Sequence, residues 1–282
     1  MWYSFIRKRP RHFVPILAVA LSSLLVAPTA MGATAEAVDR SSLRVCADPG
    51  NLPFSNQAGE GFENKIAELL AAQLGVPLRY TWFPQATGFV RNTLMARKCD
   101  LVIGISLGFE LLQNTNPYYR SSYALVYRAD SGLKVSSIAD PILKEKRLGI
   151  IAGTPPASLM AKYGLLGQVR PYHLVADTRF NQPAKQLVDD IAKGEVDVGV
   201  LWGPIAGYYA KDHNPTISVV PLLSNPGEVK MDYRITMGIR FNEPDWKHAI
   251  NSLIEKKQPE IDAILKAYGV PLLDAQGRPL QD

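Results

Sequence analysis

The chain has 282 residues, 47% of them apolar and 20% charged, the balance of an ordinary globular protein and enough for one large or two modest domains. Its formal charge of +5 overstates the basic character. Four of the 31 Lys and Arg (Arg7, Lys8, Arg9 and Arg11) sit at the extreme N-terminus, and the remaining 27 face 26 acids, which leaves no cationic surface of the kind that holds nucleic acid.

Those four cations precede an apolar run, Phe13 to Val26, and small residues follow it, with cleavage expected at Ala30-Met31-Gly32 or Ala33-Thr34-Ala35. This is the pattern of a secretory signal peptide over residues 1–35. The alternative is an uncleaved anchor, for which about 14 apolar residues are short. The expected location is the periplasm, with no stable membrane insertion once the leader is removed. Two cysteines, Cys46 and Cys99, are compatible there with one disulfide or with two buried thiols. Both head predicted strands, and a bridge needs Cα atoms within about 7 Å.

In chain order, Leu43, Val45 and Ala47 mark a strand that Asp48-Pro49 ends. After a loop rich in Pro, Gly and Asn, the residues Phe62, Ile66, Leu69, Leu70 and Leu74 keep the i, i+3, i+4 spacing of one buried helical face. Gly75 stops that helix. Leu78–Trp82 alternates as a strand, Thr87 to Lys98 reads as a helix, and Asp100 to Ile105 is a continuous apolar strand buried on both faces. A further strand covers Tyr123 to Arg128.

The pattern then restarts. Arg147 to Ala152 is a strand, Pro155 to Tyr163 a helix, Pro171 to Val175 a strand and Pro183 to Lys193 a helix. Val196-Asp-Val-Gly-Val-Leu201 repeats Cys99-Asp-Leu-Val-Ile-Gly104, so one α/β module is written twice about a hundred residues apart. Asp100 and Asp197 are expected to bond backbone groups at the N-terminal edges of their strands. Tyr233 to Arg240 alternates as a strand, and Asn242 to Tyr268 is helical with a break at Gln258-Pro259. The expected fold class is α/β, a two-lobed clamshell in which each lobe is a mainly parallel sheet flanked by helices. Residues 36–128 plus 229–282 would form the first, discontinuous lobe, and 129–228 the second.

No phosphate loop, dinucleotide fingerprint, Gly-x-Ser-x-Gly or His-Glu-x-x-His motif occurs, and no catalytic, cofactor-binding or metal-binding residue is assigned. In open α/β sheets the ligand lies at the carboxyl ends of the strands. The cleft candidates are therefore Asp48, Asn51, Leu52, Phe54, Trp82, Arg91, Ser106, Gly108 and Tyr119 on the first lobe, with Thr154 and Trp202 on the second. Thr154 stands before Pro155-Pro156 either as a member of an anion site at a helix N-terminus or as a simple N-cap.

The layout resembles periplasmic solute-binding proteins of the polar-amino-acid type (solute-binding protein family 3) through Leu43-Arg-Val-Cys-Ala, Pro53-Phe54, Gly61-Phe62-Glu63, Asn116-Pro117-Tyr118-Tyr119 and Val196-Asp197. Such a resemblance implies the type II periplasmic binding protein fold and, in amino-acid receptors, an Arg after the third strand and an acid after the Val-Asp strand. Here those places hold Ser106-Leu-Gly-Phe-Glu-Leu-Leu-Gln113 and Trp202, so the paired ions that clamp a zwitterion are missing.

A narrower family fits better. Cys46-Ala-Asp-Pro-Gly-Asn-Leu-Pro-Phe-Ser55, Gly88-Phe-Val-Arg-Asn-Thr-Leu94, Pro117-Tyr-Tyr-Arg-Ser121, Trp202-Gly-Pro204 and Tyr268-Gly-Val-Pro271 are similar to the quinoprotein dehydrogenase-associated periplasmic binding proteins, among them the J-type accessory proteins of methanol oxidation. That resemblance implies a non-catalytic partner of a PQQ-dependent alcohol dehydrogenase, with or without its cytochrome c, which aids maturation or activation through the inter-lobe cleft. The alternative is an ABC-transporter receptor that delivers a small, non-zwitterionic solute to its permease.

Overall fold

The computed structural model describes residues 39–174 and 181–280. Residues 40–282 form one compact unit, and the fold below is that of this unit. The expected leader, residues 1–35, lies outside the described residues.

The elements run β1 (Leu43–Ala47), β2 (Gly50–Asn51), β3 (Ser55–Asn56), α1 (Phe62–Leu74), β4 (Leu78–Trp82), α2 (Phe89–Asn92), β5 (Leu101–Ser106), β6 (Gln113–Asn114) and β7 (Tyr119–Arg128). Next come β8 (Leu148–Ile151), α3 (Pro156–Lys162), β9 (Val169–Tyr172), α4 (Pro183–Ala192), β10 (Val198–Trp202), α5 (Gly203–Ala210), β11 (Ile217–Pro221), β12 (Asp232–Ile239) and α6 (Pro244–Ala267). β1 pairs in parallel with β4 and β5, and β8 with β9 and β10, as two α/β repeats require. The ten-stranded path is β4-β1-β5-β12-β7-β10-β8-β9, with β6 beside β12 and β11 beside β7.

β7 joins the two repeats. Tyr119–Ser122 pairs with β12, which also pairs with β5 of the first repeat, and Tyr123 onward pairs with β10 of the second repeat and with β11. The cores divide accordingly. One is built on Phe62, Ile66, Leu70, Leu101, Met237, Ile250 and Leu265, the others on Leu125, Leu148, Met160 and Val198 and on Leu187, Ile191 and Leu201. On α1, Phe62, Ile66 and Leu70 are wholly buried, each contributing about 1.5–3 kcal/mol. Gly75 closes the helix in the left-handed region, φ 67°, where a side chain would be strained.

Several elements depart from the sequence pattern. Only Phe89–Asn92 of the predicted helix over 87–98 is helical. The Thr93 hydroxyl donates to the Phe89 carbonyl, and the following turns widen, Met95 N–H bonding Val90 O and Lys98 N–H bonding Thr93 O. Conversely α6 runs unbroken through Pro259. Its stripe enters the core on both sides, through Trp246, Ile250, Leu253 and Ile254 and again through Ile261 and Leu265, while Gln258 Nε2 donates to the Tyr118 carbonyl at 2.8 Å. That packing outweighs the roughly 3 kcal/mol that a helix-interior proline costs. β9 begins at Val169, two residues before the predicted strand, because Val169 pairs with Leu148; Val175 lies outside the described residues. Trp202-Gly-Pro204, for which the sequence pattern assigns no helix, opens α5 with its proline in the first turn.

Cys46 and Cys99 are joined in a disulfide, Cα–Cα 5.5 Å. Cys99 precedes β5 and packs with Leu94 and Val102 over the sheet face to which Cys46 points, so the bridge crosses the face instead of following strand register.

Candidate functional site

A cavity of about 240 Å³ lies between the lobes. The loop after β1 forms its first wall. Asp48, 5% exposed, organises that loop: its Oδ1 accepts the Gly50 N–H at 2.9 Å and its Oδ2 the Gln85 N–H at 2.5 Å. Ser55 closes the ring, donating to the Asp48 carbonyl at 2.9 Å and accepting its N–H at 3.1 Å. Asn51, Leu52, Phe54 and Gln85 complete the wall. Asn51 Nδ2 donates to Gln85 Oε1 at 3.2 Å, and Phe54 packs edge-on against Phe62 at 5.3 Å.

The second wall comes from Ile151 at the end of β8, Leu174, the N-terminal turn of α4 (Gln182 to Lys185) and Ile205 and Tyr209 of α5. The Tyr209 hydroxyl reaches across the gap and donates to the Leu52 carbonyl at 3.4 Å. Burial, with smaller contributions from Tyr208 and Asp189, pushes that hydroxyl up to about 12, so it remains a neutral donor at physiological pH. Lys185 is tied to Asp189 at 2.7 Å. The cavity thus offers an apolar body ringed by amides, one tyrosine, one structured carboxylate and the ammonium of Lys185. Among the described residues no three His, Cys, Asp or Glu side chains gather to hold a metal ion.

Behind Asp48 lies a second acid. Glu63, 8% exposed, sits against Gly104, where a Cβ would stand 1.9 Å from its Oε1. Burial, then the charge of Asp48, raises its pKa well above the ordinary value, and neither acid forms an ion pair among the described residues.

The structure brings Asp48, Asn51, Leu52 and Phe54 together at the cavity and places the other sequence candidates around it. Trp82 stacks on Tyr80 at 4.4 Å. Arg91 is exposed on α2. Ser106 ends β5, and Gly108 follows in an exposed loop that Asn114 holds, its Oδ1 accepting the Gly108 N–H. Tyr119 is buried against Phe62 and Tyr118. The Thr154 hydroxyl donates to the Ile151 carbonyl at 2.7 Å and caps no helix. Trp202 packs edge-on against Tyr123 (5.3 Å) and Tyr233 (5.8 Å) where the chain crosses between lobes. Gln85, Gln182, Ile205 and Tyr209 escaped the sequence reading. Only the proline that starts α5 could have signalled the last two.

Of the two strand-edge aspartates, Asp197 meets the expectation and the Asp100 side chain does not. Asp197 accepts the Arg147 backbone N–H at 2.7 Å, but the Asp100 carboxylate takes guanidinium groups: Arg44 on both oxygens at 2.7 Å and Arg240 at 2.6 Å.

No family model matches the chain. Protein MoxJ of Methylorubrum extorquens is 32% identical over 95% of this chain and 97% of its own length. Protein MoxJ of Paracoccus denitrificans is 29% identical over 83% of this chain and 90% of its own. The crystal structure of the periplasmic binding protein XoxJ from Methylobacterium extorquens AM1 superposes with a TM-score of 0.70 at 43% identity, covering 82% of this chain and 99% of that one. Among the described residues no helix is long and apolar enough to cross a membrane.

Proposed function

The chain belongs to the MoxJ family, whose member XoxJ is a periplasmic binding protein, and from that premise we propose that it is a non-catalytic periplasmic accessory of a PQQ-dependent alcohol dehydrogenase. It receives a segment of that enzyme in the cavity between its lobes and so aids maturation or activation. The reading takes residues 36–128 with 229–282 as one lobe and 129–228 as the other. The observation that carries it is the chemistry of the cavity. The loop after β5 offers Leu107, Phe109 and Leu111 to solvent where an amino-acid receptor has its arginine, and Trp202 is packed among aromatic rings where such a receptor has its acid. What remains is apolar side chains rimmed by Asn51, Gln85 and Tyr209, and the two charged groups of the lining are already engaged, Asp48 by the Gly50 and Gln85 N–H groups and Lys185 by Asp189, so the cavity suits the backbone and side chains of a protein segment more than a small zwitterion.

The test is capture of the dehydrogenase from periplasmic extract by the tagged protein, beside an Asn51→Ala/Gln85→Ala variant. Retention by the parent that weakens in the variant supports the reading. Equal retention by both moves the contact out of the cavity. No retention, with a small metabolite raising Tm by the linkage RT ln(1 + [L]/Kd), replaces the accessory with an ABC-transporter receptor.

A further inference from the structure

We propose that the two lobes are held at one fixed angle by a seam between α5 and the segment Ala267–Pro271, so that the cavity stands formed before anything enters it. This is independent of what the cavity receives.

The seam is a contact of bare backbones. At Gly207, midway along α5, a Cβ would lie 1.7 Å from the Gly269 carbonyl oxygen, and a Cβ on Gly269 would lie 2.8 Å from the Gly207 oxygen. One turn earlier, a Cβ on Gly203 would lie 2.4 Å from the Ser122 oxygen and 2.7 Å from Pro271 Cγ. Side chains then tie the edges. Tyr208 stacks on Tyr268, centroids 6.0 Å apart and planes 16° from parallel. Lys211 Nζ stands 5.8 Å from each ring and donates to the Ala267 carbonyl at 3.2 Å. On the first lobe the strip is itself anchored: Val270 and Leu272 are buried in its core, and the Pro271 carbonyl accepts the Ser121 hydroxyl at 2.6 Å.

From Gly203 to Lys211 this contact runs about 12 Å along the helix, too long for a pivot point. Rotation about the β7 crossing would have to break both backbone contacts, the tyrosine stack and the Lys211 hydrogen bond together. A receptor that closes on a ligand needs the opposite, an open state with no such cost.

Paired spin labels on cysteines introduced at Ala72 of α1 and Ser158 of α3, both exposed, read the angle. With nothing bound, the protein should give one narrow distance. Gly207→Ala should shift and broaden it, since α5 must retreat by about 1.7 Å to reach ordinary contact at 3.4 Å. Tyr208→Ala/Lys211→Met, which adds no bulk, should broaden it too, and decides the matter if Gly207→Ala does not fold. A broad or two-peaked distance in the parent protein, or an unchanged distance in the variants that fold, overturns the proposal. So does a shift when the purified PQQ-dependent dehydrogenase binds. If the dehydrogenase does not bind, the accessory reading falls, and the parent and variant distances still decide the seam.

Discussion

The two lobes carry the same ion pair at the same place and make different things of it. In each repeat an aspartate that begins the third strand of the module donates its backbone N–H to an arginine carbonyl at the edge of the first strand: Asp100 to Arg44 and Asp197 to Arg147, both at 2.8 Å. Each also grips that arginine's guanidinium with both carboxylate oxygens. Yet the Asp100 side chain is 1% exposed and that of Asp197 is 28%. The difference is the return of the chain. β12 and α6 bring Arg240, Glu243 and Trp246 against the first pair. Arg240 there donates to Asp100, Glu243 and the Leu94 and Cys99 carbonyls, Trp246 Nε1 donates to the Asp100 carbonyl at 3.0 Å, and Arg40 stacks on the indole at 4.1 Å. Among the described residues no returning element covers the second pair. A repeated motif thus fixes a local backbone bridge, and what later packs on it decides whether the side chains matter.

The sharpest way to break that comparison is Asp100→Ala. It would leave Arg240, 6% exposed, without one of its two carboxylates and Arg44 without its carboxylate, with only the Arg97 carbonyl left to it. Removing one member of a buried charge network costs about 3–5 kcal/mol, a large share of a domain's stability. Chemical denaturation should show that loss with an unchanged m-value. A loss under about 1 kcal/mol would mean that the network is as dispensable as its exposed counterpart.

Buried acids sharpen the contrast at intermediate size. In the second lobe Asp190 is buried with a cation at hand, Arg170 at 3.1 Å, and the Tyr172 hydroxyl at 2.6 Å. In the first, Glu63 is buried beside another acid. Its native pKa is raised above the ordinary 4.5, so the folded chain keeps this proton to higher pH than the unfolded chain. Stability should fall as pH rises from about 4.5 toward the raised value and level off above it, with a slope of at most about 1.4 kcal/mol per pH unit. Glu63→Gln removes this term. Melting curves across pH 5 to 8 should therefore show the variant gaining on the parent as pH rises. A variant that keeps a constant offset from the parent, or loses ground to it as pH rises, would show that Glu63 ionises freely in the fold.

How much of this was legible in the sequence follows the range of the interactions. β1, its loop, α1 and the stop at Gly75 are local matters, and the sequence carries them, together with the cavity wall at Asp48, Asn51, Leu52 and Phe54. The repeat is legible because Cys99-Asp100 and Val196-Asp197 stand at equivalent places. The second wall is not, because Gly203-Pro204 has the composition of a turn and Tyr209 acquires its role only when α5 is packed. Nor is the burial of Asp100, whose partner Arg240 is 140 residues away. α2 unwinds where a threonine hydroxyl takes a helix carbonyl, and α6 survives Pro259 because its stripe is buried on both sides. In both cases packing or a side-chain bond overrules periodicity.

The smallest effect is expected at the exposed pair, and it is the one that tests the logic of the comparison. The Arg147 guanidinium hydrogen-bonds Asp197 and holds its carboxyl below the ordinary 3.8. Such a group stabilises the fold at pH values above 3.8 and loses that contribution as pH falls through the depressed value. Both partners are open to water, which screens the pair. Asp197→Ala also leaves the backbone N–H of residue 197 on the Arg147 carbonyl, so the parallel pairing of β8 and β10 keeps its first bridge. Tm at pH 7 should drop by no more than about 3 °C, and the drop should shrink in 1 M salt. A loss comparable to that of Asp100→Ala would place the stabilisation in the motif itself, and the elements returning over the first lobe would then be cover without consequence.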